Sequence, residues 1–420
     1  MNARSSLTSA KLIAVTFLAV LFLAVSLKAN ASEKVLYSFK GGNDGANPAS
    51  ALVADRNGNL YGTTDAGGDG TCDCGTVFML SPPVTPDGSW TETILYRFHG
   101  TDGGAPEAAV VFGAAGNLYG TTASGLDPVH DGTVFRLSPP SRPGDNWTFS
   151  TLYAFQGGQD GEYPLSNLVI DNAGNLYGTT LFGGGGTQGG VVFEVSPPTT
   201  PGANWTETLI HRFHSPNDGA QPMAGLLMDE HGALYGTTMA CLVQGTGGLV
   251  FKLSPPTPPE QNWKERGLYG FGAKDDGFEP EYIVAAGGAI YGVTNLGGNG
   301  NYGTVYQLTP QAGLWKETVL YSFQGGSDGG IPVGQLYVDR SGNVYGTTYA
   351  GQEPDNGTVF RISPPQAGGA WVKTKLHEFG GNGDGVTPNG GLIKGKGGVL
   401  YGTTYAGGAS GLGVVYAITP

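Results

Sequence analysis

The chain has 420 residues, of which 75 are glycine and only 13% are charged, and its formal net charge is −13. Such an acidic chain lacks the basic surface that binds nucleic acid or anionic lipid. The three cysteines are too few for a disulfide framework, so stability must come from a packed core.

The N-terminal segment has the pattern of an export signal. A short basic start precedes an apolar run from Leu12 to Leu27, and the small-x-small sequence Ala29-Asn30-Ala31 follows. This order predicts a secretory signal peptide over residues 1–31. An uncleaved membrane anchor is the alternative, although the run is shorter than the ~20 residues of a spanning helix. Residues 32–420 contain no second apolar run, so we expect an exported protein, periplasmic or extracellular, without an integral membrane segment.

Three phrases recur in constant order along residues 32–420, which indicates a single domain of tandem repeats of 54–58 residues. The phrase Tyr-Gly-Thr-Thr, with Val in one copy, starts at Tyr61, Tyr119, Tyr177, Tyr235, Tyr291, Tyr345 and Tyr401. The phrase Gly-x-Val-Phe/Tyr starts at Gly75, Gly132, Gly190, Gly248, Gly303, Gly357 and Gly413. The phrase Asp-Gly-x-x-Pro starts at Asp44, Asp102, Asp160, Asp218, Asp276, Asp328 and Asp384.

Each repeat has the pattern of four short strands, which we call A to D. In the third copy, Leu168–Asp171 predicts strand A, and the turn formers that follow it lead into strand B, Asn175–Thr180. A glycine-rich loop then leads to strand C, Val191–Ser196, which two prolines end. Strand D, Trp205–Phe213, alternates polar and apolar residues. No helical periodicity appears in residues 32–420.

The two ends of the chain complete each other. Val35–Phe39 has the pattern of a strand D with no A, B or C before it, and Gly413–Pro420 has the pattern of a strand C with no D after it. We therefore predict an all-β, seven-bladed β-propeller of four-stranded antiparallel blades, with the ring closed by the N-terminal strand joining the C-terminal blade. An open solenoid is the alternative, but it would need polar capping units at its ends.

The repeat resembles the GloVer (Gloeo/Verruco) tandem repeat family of exported bacterial proteins. The copies that carry the resemblance best are Leu320–Pro332, Gly58–Thr64 and Gly132–Pro140. The resemblance implies export and no known activity, so it assigns no catalytic residue. The Gly-Asn-Leu-Tyr strand also looks like that of NHL-type propellers, which supports the fold only.

An antiparallel meander places the D–A and B–C connections on one face and the A–B and C–D turns on the other. All seven Asp-Gly-x-x-Pro phrases are D–A connections, so one rim should carry seven aspartates. These carboxylates could hold Ca²⁺, the one cofactor that the sequence suggests, or bind sugar hydroxyls. The alternative is that each Asp-Gly only forms the turn between two blades. The candidate metal ligands are Asp44, Asp102, Asp160, Asp218, Asp276, Asp328 and Asp384.

Departures from the repeat point to a second group of candidates in the B–C loops. The blade 2 loop contains Asp127, His130 and Asp131, and the blade 6 loop contains Glu353 and Asp355. These groups could ligate a metal, bind a ligand or act as a base, or they could lie in a tolerated solvated loop. The cysteines also lie in B–C loops, where a disulfide or a free thiol is expected for Cys72, Cys74 and Cys241.

The repeat-dominated sequence favours a non-catalytic binding protein. We expect a monomer that binds a carbohydrate, a peptide or another extracellular or envelope partner through the D–A/B–C face. One alternative is a metal-assisted lyase or lactonase on the propeller scaffold, which would need carboxylates or imidazoles unique to a few blades. The other alternative is a structural component of the envelope or extracellular matrix.

Overall fold

The computed structural model describes residues 31–420 apart from short segments within loops. The described ranges are 31–68, 72–85, 88–125, 131–142, 144–185, 189–214, 218–240, 247–272, 275–351, 356–366, 368–380 and 383–420. Residues 31–420 form one compact unit. Within the described ranges, no helix is long and apolar enough to cross a membrane.

In the described ranges, thirty-two short strands follow one another with three 3₁₀ turns between them. The chain opens with β1 (Ser32–Ser38). Blade 1 and its entry contain β2 (Gly45–Ala46), β3 (Val53–Ala54), β4 (Leu60–Thr64), β5 (Ala66–Gly67), β6 (Thr76–Ser81) and β7 (Thr91–Arg97). Blade 2 contains β8 (Val111–Phe112), β9 (Leu118–Thr122), β10 (Thr133–Ser138) and β11 (Thr148–Ala154). Blade 3 contains β12 (Val169–Ile170), β13 (Leu176–Thr180), β14 (Val191–Ser196) and β15 (Thr206–Arg212).

The remaining blades repeat this order. Blade 4 contains β16 (Leu227–Met228), β17 (Leu234–Thr238), β18 (Leu249–Ser254) and β19 (Lys264–Gly270). Blade 5 contains β20 (Gly277–Ala286), β21 (Ala289–Gly297), β22 (Thr304–Gln311) and β23 (Leu314–Ser322). Blade 6 contains β24 (Gly330–Val338), β25 (Val344–Ala350), β26 (Thr358–Ser363) and β27 (Val372–Glu378). Blade 7 and its entry contain β28 (Gly385–Val386), β29 (Ile393–Lys394), β30 (Leu400–Thr404), β31 (Ala406–Gly407) and β32 (Val414–Thr419). The 3₁₀ turns are Ala114–Gly116, Gly326–Asp328 and Lys396–Gly398.

Seven four-stranded antiparallel sheets result, and they confirm the propeller prediction. In blade 3, strands B and C begin within a residue of the predicted positions, whereas strand A pairs over only two residues, Val169–Ile170. Every outer strand D carries a β-bulge opposite the start of its strand C. A bulge increases the local twist and interrupts a flat edge, which discourages pairing with a second molecule.

The A–B turns are built by an aspartate that ends strand A. In blade 3, Asp171 accepts hydrogen bonds from the backbone of Ala173 and Asn175 at 2.9 Å, from the Asn175 amide at 2.8 Å and from the Tyr177 hydroxyl at 3.1 Å. The glycine of this turn, Gly174, has φ of 87°, as the turn requires. Asp55, Asp229 and Asp339 accept matching bonds, so these aspartates form the A–B turns of their blades in the same way.

The apolar core is divided among the boundaries between blades. Each cluster of buried side chains draws on two neighbouring blades, so no blade has a core of its own. Each blade also contributes a fully buried ring from its Gly-x-Val-Phe/Tyr phrase, which packs over the glycine of the facing Tyr-Gly-x-Thr phrase. Burial of apolar surface therefore depends on contact between blades, which is why the fold needs the whole ring.

The ring closes between the two ends of the chain. Strand β1 pairs antiparallel with β32, and the sheet order of blade 7 is β29-β30-β32-β1. Behind this seam, Phe39 and Val415 share a buried cluster with Leu52, Leu60 and Phe78 of blade 1. The Thr403 hydroxyl of blade 7 also donates to the Ser50 carbonyl of blade 1 at 2.8 Å. The predicted closure by the N-terminal strand is thus confirmed.

We predict that Gly413→Ala destabilises the ring more than Gly144→Ala. Both glycines have a positive φ, 93° and 95°, so both substitutions carry the same left-handed penalty of about 1–2 kcal/mol. A Cβ on Gly413 would lie 2.4 Å from the Thr404 carbonyl and 2.6 Å from Pro48 Cδ, whereas a Cβ on Gly144 has no neighbour within 4 Å. Thermal unfolding of both variants measures the difference, and equal losses would contradict the proposed contact at the seam.

Candidate functional site

The D–A and B–C connections lie on one face, as predicted, because they pair with each other. In blade 1, β2 of the D–A connection pairs with β5 of the B–C connection, and in blade 7 β28 pairs with β31 in the same way. Longer strands or single bridges make the equivalent pairing in the other five blades. This face, which we call the entry face, therefore carries a regular rim of paired connections.

Each D–A connection turns through a non-glycine residue with positive φ, just before its proline. The seven residues are Asn47, Ala105, Tyr163, Gln221, Glu279, Ile331 and Thr387. In blade 6, the Ile331 backbone N–H donates to the Tyr302 carbonyl of blade 5 at 2.8 Å. In blade 3, the Tyr163 backbone N–H donates to the Asp131 carbonyl of blade 2, and the Tyr163 carbonyl accepts from Leu181 of its own blade, both at 3.0 Å. The strained residue thus ties a blade to its predecessor, and this bonding offsets the unfavourable φ.

The aspartate of each Asp-Gly-x-x-Pro phrase is held by the outer strand of the preceding blade. Asp44 accepts from the Tyr37 hydroxyl at 2.9 Å, and Asp160 accepts from the Tyr153 hydroxyl at 2.7 Å. Hydrogen bonds also join Tyr96–Asp102, Tyr269–Asp276, Tyr321–Asp328 and His377–Asp384. At the seventh boundary, His211 Nε2 lies farther from Asp218 Oδ2, at 3.7 Å. Each carboxylate therefore fixes the path of the chain from one blade to the next.

The seven aspartates lie at separate blade boundaries. Among the described residues, only Asp384 shares a group of potential metal ligands with two other residues, Glu33 and His377. The predicted rim thus offers seven separate carboxylates, and a Ca²⁺ ion at any one of them stays a prediction.

A side chain of the next outer strand faces each Tyr–Asp or His–Asp pair. The facing residues, from blade 1 to blade 7, are Glu92, Phe149, Glu207, Glu265, Glu317, Lys373 and Glu33. Lys373 forms an ion pair with Asp328 at 2.9 Å, and Phe149 stacks on Tyr96 with ring centroids 4.3 Å apart. The blade boundaries therefore share a backbone geometry and differ in side-chain chemistry.

The facing glutamates are partly desolvated. One buried carboxylate oxygen, Oε1, of Glu33, Glu92, Glu207, Glu265 and Glu317 has no hydrogen-bond partner among the described residues. Burial, followed by repulsion from the neighbouring aspartate, raises the pKa of Glu92, Glu207, Glu265 and Glu317 to about 7, and the same causes raise the pKa of Glu33. The four glutamates with a pKa of about 7 therefore gain or lose a proton near neutral pH.

A second polar group lies at the inner end of the entry face, where the D–A connections run into the innermost strands and the B–C connections leave strand B. We call Asp65, Glu107, Glu281, Tyr282 and Tyr405 the mouth cluster. The Tyr405 hydroxyl of blade 7 donates to Asp65 of blade 1 at 2.9 Å. Burial, followed by this hydrogen bond, raises the pKa of Tyr405 to about 12. Burial and the Asp65 charge also raise the pKa of Glu107, from blade 2.

Blade 5 supplies the other half of the mouth cluster. The carboxylate of Glu281 is buried and accepts from the Asn295 amide at 2.9 Å and from the backbone of Gly334. Burial raises the pKa of Glu281 despite these bonds. Tyr282, beside it, has its pKa raised by burial and by the charges of Glu281 and Glu107, so Glu107 is electrostatically linked to both halves of the cluster.

Sequence reasoning missed the mouth cluster, although a signal was present. In the position after the D–A proline, five copies have Ala, Leu, Met, Val or Asn, whereas Glu107 and Glu281 occupy the other two. In the position after the Tyr-Gly-x-Thr phrase, Asp65 is the one acidic residue among the seven copies. Comparing copies position by position, rather than only in the B–C loops, identifies these carboxylates.

The other predicted site residues are placed only in part. Asp127, His130, Glu353, Asp355 and Cys241 lie outside the described residues. Asp131 is described: its backbone N–H donates to the Phe155 carbonyl within blade 2, and its carbonyl accepts from the Tyr163 N–H, which joins blades 2 and 3. Cys72 and Cys74 are joined by a disulfide within the blade 1 loop.

Clefts on the opposite face are part of the packing between blades. One lies between blades 4 and 5 and is lined by Leu227, Tyr235 and Trp315. A second lies between blades 7 and 1, where Trp90 and Tyr401 meet edge to face at 5.9 Å. Equivalent Tyr–Trp contacts recur at other boundaries, so these clefts belong to the repeat.

Comparison with known proteins agrees with the repeat and the ring. A family model described as the Gloeobacter/Verrucomicrobia repeat matches residues 83–286 and 279–420. No curated protein sequence matches the chain. PorZ, an essential surface component of the type-IX secretion system of Porphyromonas gingivalis, is similar in structure, with a TM-score of 0.51 at 15% identity over 91% of this chain. The chain spans about half of PorZ, 47% of its length.

Two further solved structures are more distant. A putative oxidoreductase (glucose dehydrogenase) of Thermus thermophilus has a TM-score of 0.41 at 13% identity, and covers 93% of this chain and 100% of its own. The calcium structure of Trichoderma reesei Carbohydrate-Active Enzymes Family AA12 has a TM-score of 0.42 at 12% identity, and covers 93% and 96%. At this identity, the likeness to PorZ shows the fold alone, and the two weaker ones support no functional inference.

We predict that the folded protein loses stability as pH rises from 5 to 8. The glutamates with a pKa near 7 hold protons that the unfolded chain has released above about 4.5, so their contribution is complete below 4.5 and is lost as pH rises through about 7. Replacing Glu92, Glu207, Glu265 and Glu317 by Gln should raise the unfolding midpoint at pH 8 and change it little at pH 5.

Thermal unfolding across this pH range measures the effect. The exposed Glu230 is the control, and its change to Gln should leave the pH dependence as it is. An unchanged slope in the fourfold variant would show that these carboxylates are not the source.

Proposed function

The chain belongs to the Gloeobacter/Verrucomicrobia repeat family, and from that premise we propose that it is an exported, non-catalytic binding protein whose seven-bladed propeller recognises a carbohydrate at the mouth cluster of the entry face. Carboxylates, tyrosine hydroxyls and an amide are the groups that bind sugar hydroxyls, as acceptors and donors. The net charge of −16 that residues 32–420 carry disfavours an anionic polysaccharide and favours a neutral or basic one.

The observation that carries this proposal is the break in the repeat at the mouth. A residue present in all seven copies builds the ring, but Asp65, Glu107 and Glu281 replace the side chains of the other copies where the connections converge. Desolvation of a buried carboxylate such as Glu281 costs free energy, so this residue would destabilise a ring that had only a structural role. Polar groups that converge on a rigid scaffold are the usual basis of a binding site.

Export rests on the N-terminal segment. The apolar run and the Ala29–Ala31 sequence are typical of a cleaved signal peptide. The Cys72–Cys74 disulfide suits the oxidising conditions outside the cytoplasm. PorZ is described as a bacterial surface component, and we propose a location outside the cytoplasm for this chain too, in the periplasm, at the surface or in the medium.

We predict that ligand binding depends on the mouth cluster and not on the opposite face. The test uses the secreted protein, whose expected first residue is Ser32, on an array of neutral and basic glycans, followed by calorimetry on each glycan that binds. Asp65→Asn and Glu107→Gln each remove one charged acceptor, so each should weaken binding about tenfold or more.

Glu230→Gln, on the exposed A–B turn of blade 4, is the matched control and should bind as the unmodified protein does. Equal binding by all three variants would place the glycan site elsewhere. If no glycan binds and a peptide binds through Asp65 and Glu107 instead, the mouth cluster is still a binding site but its ligand is not a carbohydrate.

A further inference from the structure

The boundary between blades 6 and 7, to which the N-terminal strand β1 contributes, contains a set of side chains that differs from five of the other six blade boundaries. At most boundaries a tyrosine of one outer strand holds the rim aspartate, but at the boundary between blades 6 and 7 a histidine does. His377 Nε2 lies 2.9 Å from Asp384 Oδ2, and Glu33 of the N-terminal strand faces this pair. We call these three residues the seam triad.

The seam triad has the composition of a metal site. An imidazole nitrogen and two carboxylate oxygens, one from each residue, all lie within 4.8 Å of one another. A Zn²⁺ ion binds His nitrogen and carboxylate oxygen at about 2.0–2.2 Å, which needs ligand atoms roughly 3.3 Å apart. Small rotations of these partly exposed side chains can bring the ligand atoms from separations of up to 4.8 Å to the distance that the ion requires. Among the described residues, this is the one set of three His, Cys, Asp or Glu side chains that meets the distance.

An orphaned oxygen provides the second observation. Glu33 Oε1 is buried and has no hydrogen-bond partner among the described residues, as is also true of the facing glutamates at four other boundaries. Among the described residues, Glu33 is the one of these glutamates that also belongs to a group of three potential metal ligands. At the neighbouring boundary of blades 5 and 6, a cation neutralises the rim aspartate, because the Lys373 ammonium contacts Asp328 at 2.9 Å. The seam has no lysine in this position, and a bound cation would satisfy the oxygen and neutralise the pair.

We propose that the seam triad, Glu33, His377 and Asp384, binds a Zn²⁺ ion or a similar first-row transition ion and thereby ties the N-terminal strand β1 to blade 6. The imidazole selects this class of ion, because Ca²⁺ prefers six to eight oxygen ligands. A water molecule completes a tetrahedral arrangement around three protein ligands. Backbone hydrogen bonds to β32 hold β1 within its own blade, and the metal adds a second attachment, to the blade before it.

The equivalent boundary between blades 3 and 4 shows how specific the arrangement is. It also has a histidine, an aspartate and a glutamate, but His211 Nε2 lies 3.7 Å from Asp218 Oδ2, and the three ligand atoms do not form a group within 4.8 Å. This boundary is therefore an internal control with the same residue types in a looser arrangement. We expect one equivalent of Zn²⁺ per chain, at the seam.

His377→Tyr is the informative variant because tyrosine already occupies the equivalent position at other blade boundaries. Tyrosine occupies the equivalent position in Tyr37, Tyr153 and Tyr269, where it bonds to the rim aspartate beside a facing glutamate. The substitution should therefore preserve the fold and remove the imidazole ligand. His211→Tyr makes the same change at the boundary that is not expected to bind.

The experiment titrates residues 32–420, prepared without a histidine tag and treated with a chelator, with Zn²⁺ against a chromophoric competitor. Thermal unfolding is followed in the same samples. The expected result is one equivalent of Zn²⁺ bound and an unfolding midpoint that rises with free Zn²⁺. His377→Tyr should weaken binding about 100-fold or more and abolish the rise, with a metal-free midpoint close to that of the unmodified chain.

His211→Tyr should bind Zn²⁺ as the unmodified chain does, and millimolar Ca²⁺ should not displace the ion. The proposal is overturned if the unmodified chain binds no Zn²⁺, if His377→Tyr binds equally well, or if His211→Tyr is the variant that loses the ion. Binding without any rise in the unfolding midpoint would contradict the attachment of β1 through the metal.

Discussion

The contact between a glycine of one blade and a proline of the next is the constraint on which the ring depends. In all seven boundaries the first glycine of Gly-x-Val-Phe/Tyr has a positive φ and leaves no room for a Cβ beside the proline that leads into the following blade. At the seam the same contact joins Gly413 to Pro48, across the two ends of the chain. The residue before each proline adopts a left-handed conformation, and its N–H bonds to the preceding blade where that bond is described. Local strain is therefore accepted seven times to hold seven sheets in register.

This regular contact separates what the repeat builds from what individual blades vary. Aspartates of the A–B turns, threonines of the Tyr-Gly-Thr-Thr phrase and the rim aspartates all have partners that recur around the ring. The side chains that differ from blade to blade lie mainly at two places. One is the inner end of the D–A and B–C connections, where the mouth cluster lies, and the other is the facing residue of the outer strand. The first position converges on the central channel, and the second lies between outer strands. One scaffold thus presents a candidate ligand site and a candidate metal site that are independent of each other.

Much of the fold could be predicted from the sequence because the same pattern of strands and turns occurs seven times. Strand C of blade 3 begins and ends where the pattern places it, since two prolines end it. Strand A is shorter than predicted, because only two of its apolar residues pair before the Asp171 turn. The rim aspartates were expected on one face, but their tyrosine and histidine partners depend on the bulge and twist of the outer strands, which a linear pattern does not contain. The mouth cluster and the seam triad join residues more than 300 positions apart in sequence, such as Asp65 with Tyr405 and Glu33 with Asp384. Only closure of the ring makes them neighbours.

Hydrogen exchange of the backbone amides of β1 tests the central claim most directly. A closed ring buries Phe39 fully and pairs β1 with β32, so amides of β1 that bond to β32, and the Phe39 amide that bonds to Gly413, should exchange as slowly as equivalent amides in the internal outer strands. We expect matching protection for β1 and for β15, the outer strand of blade 3. Rapid exchange throughout β1, with β15 protected, would mean that the N-terminal strand does not close the ring. Both candidate sites that depend on closure would then lose their basis.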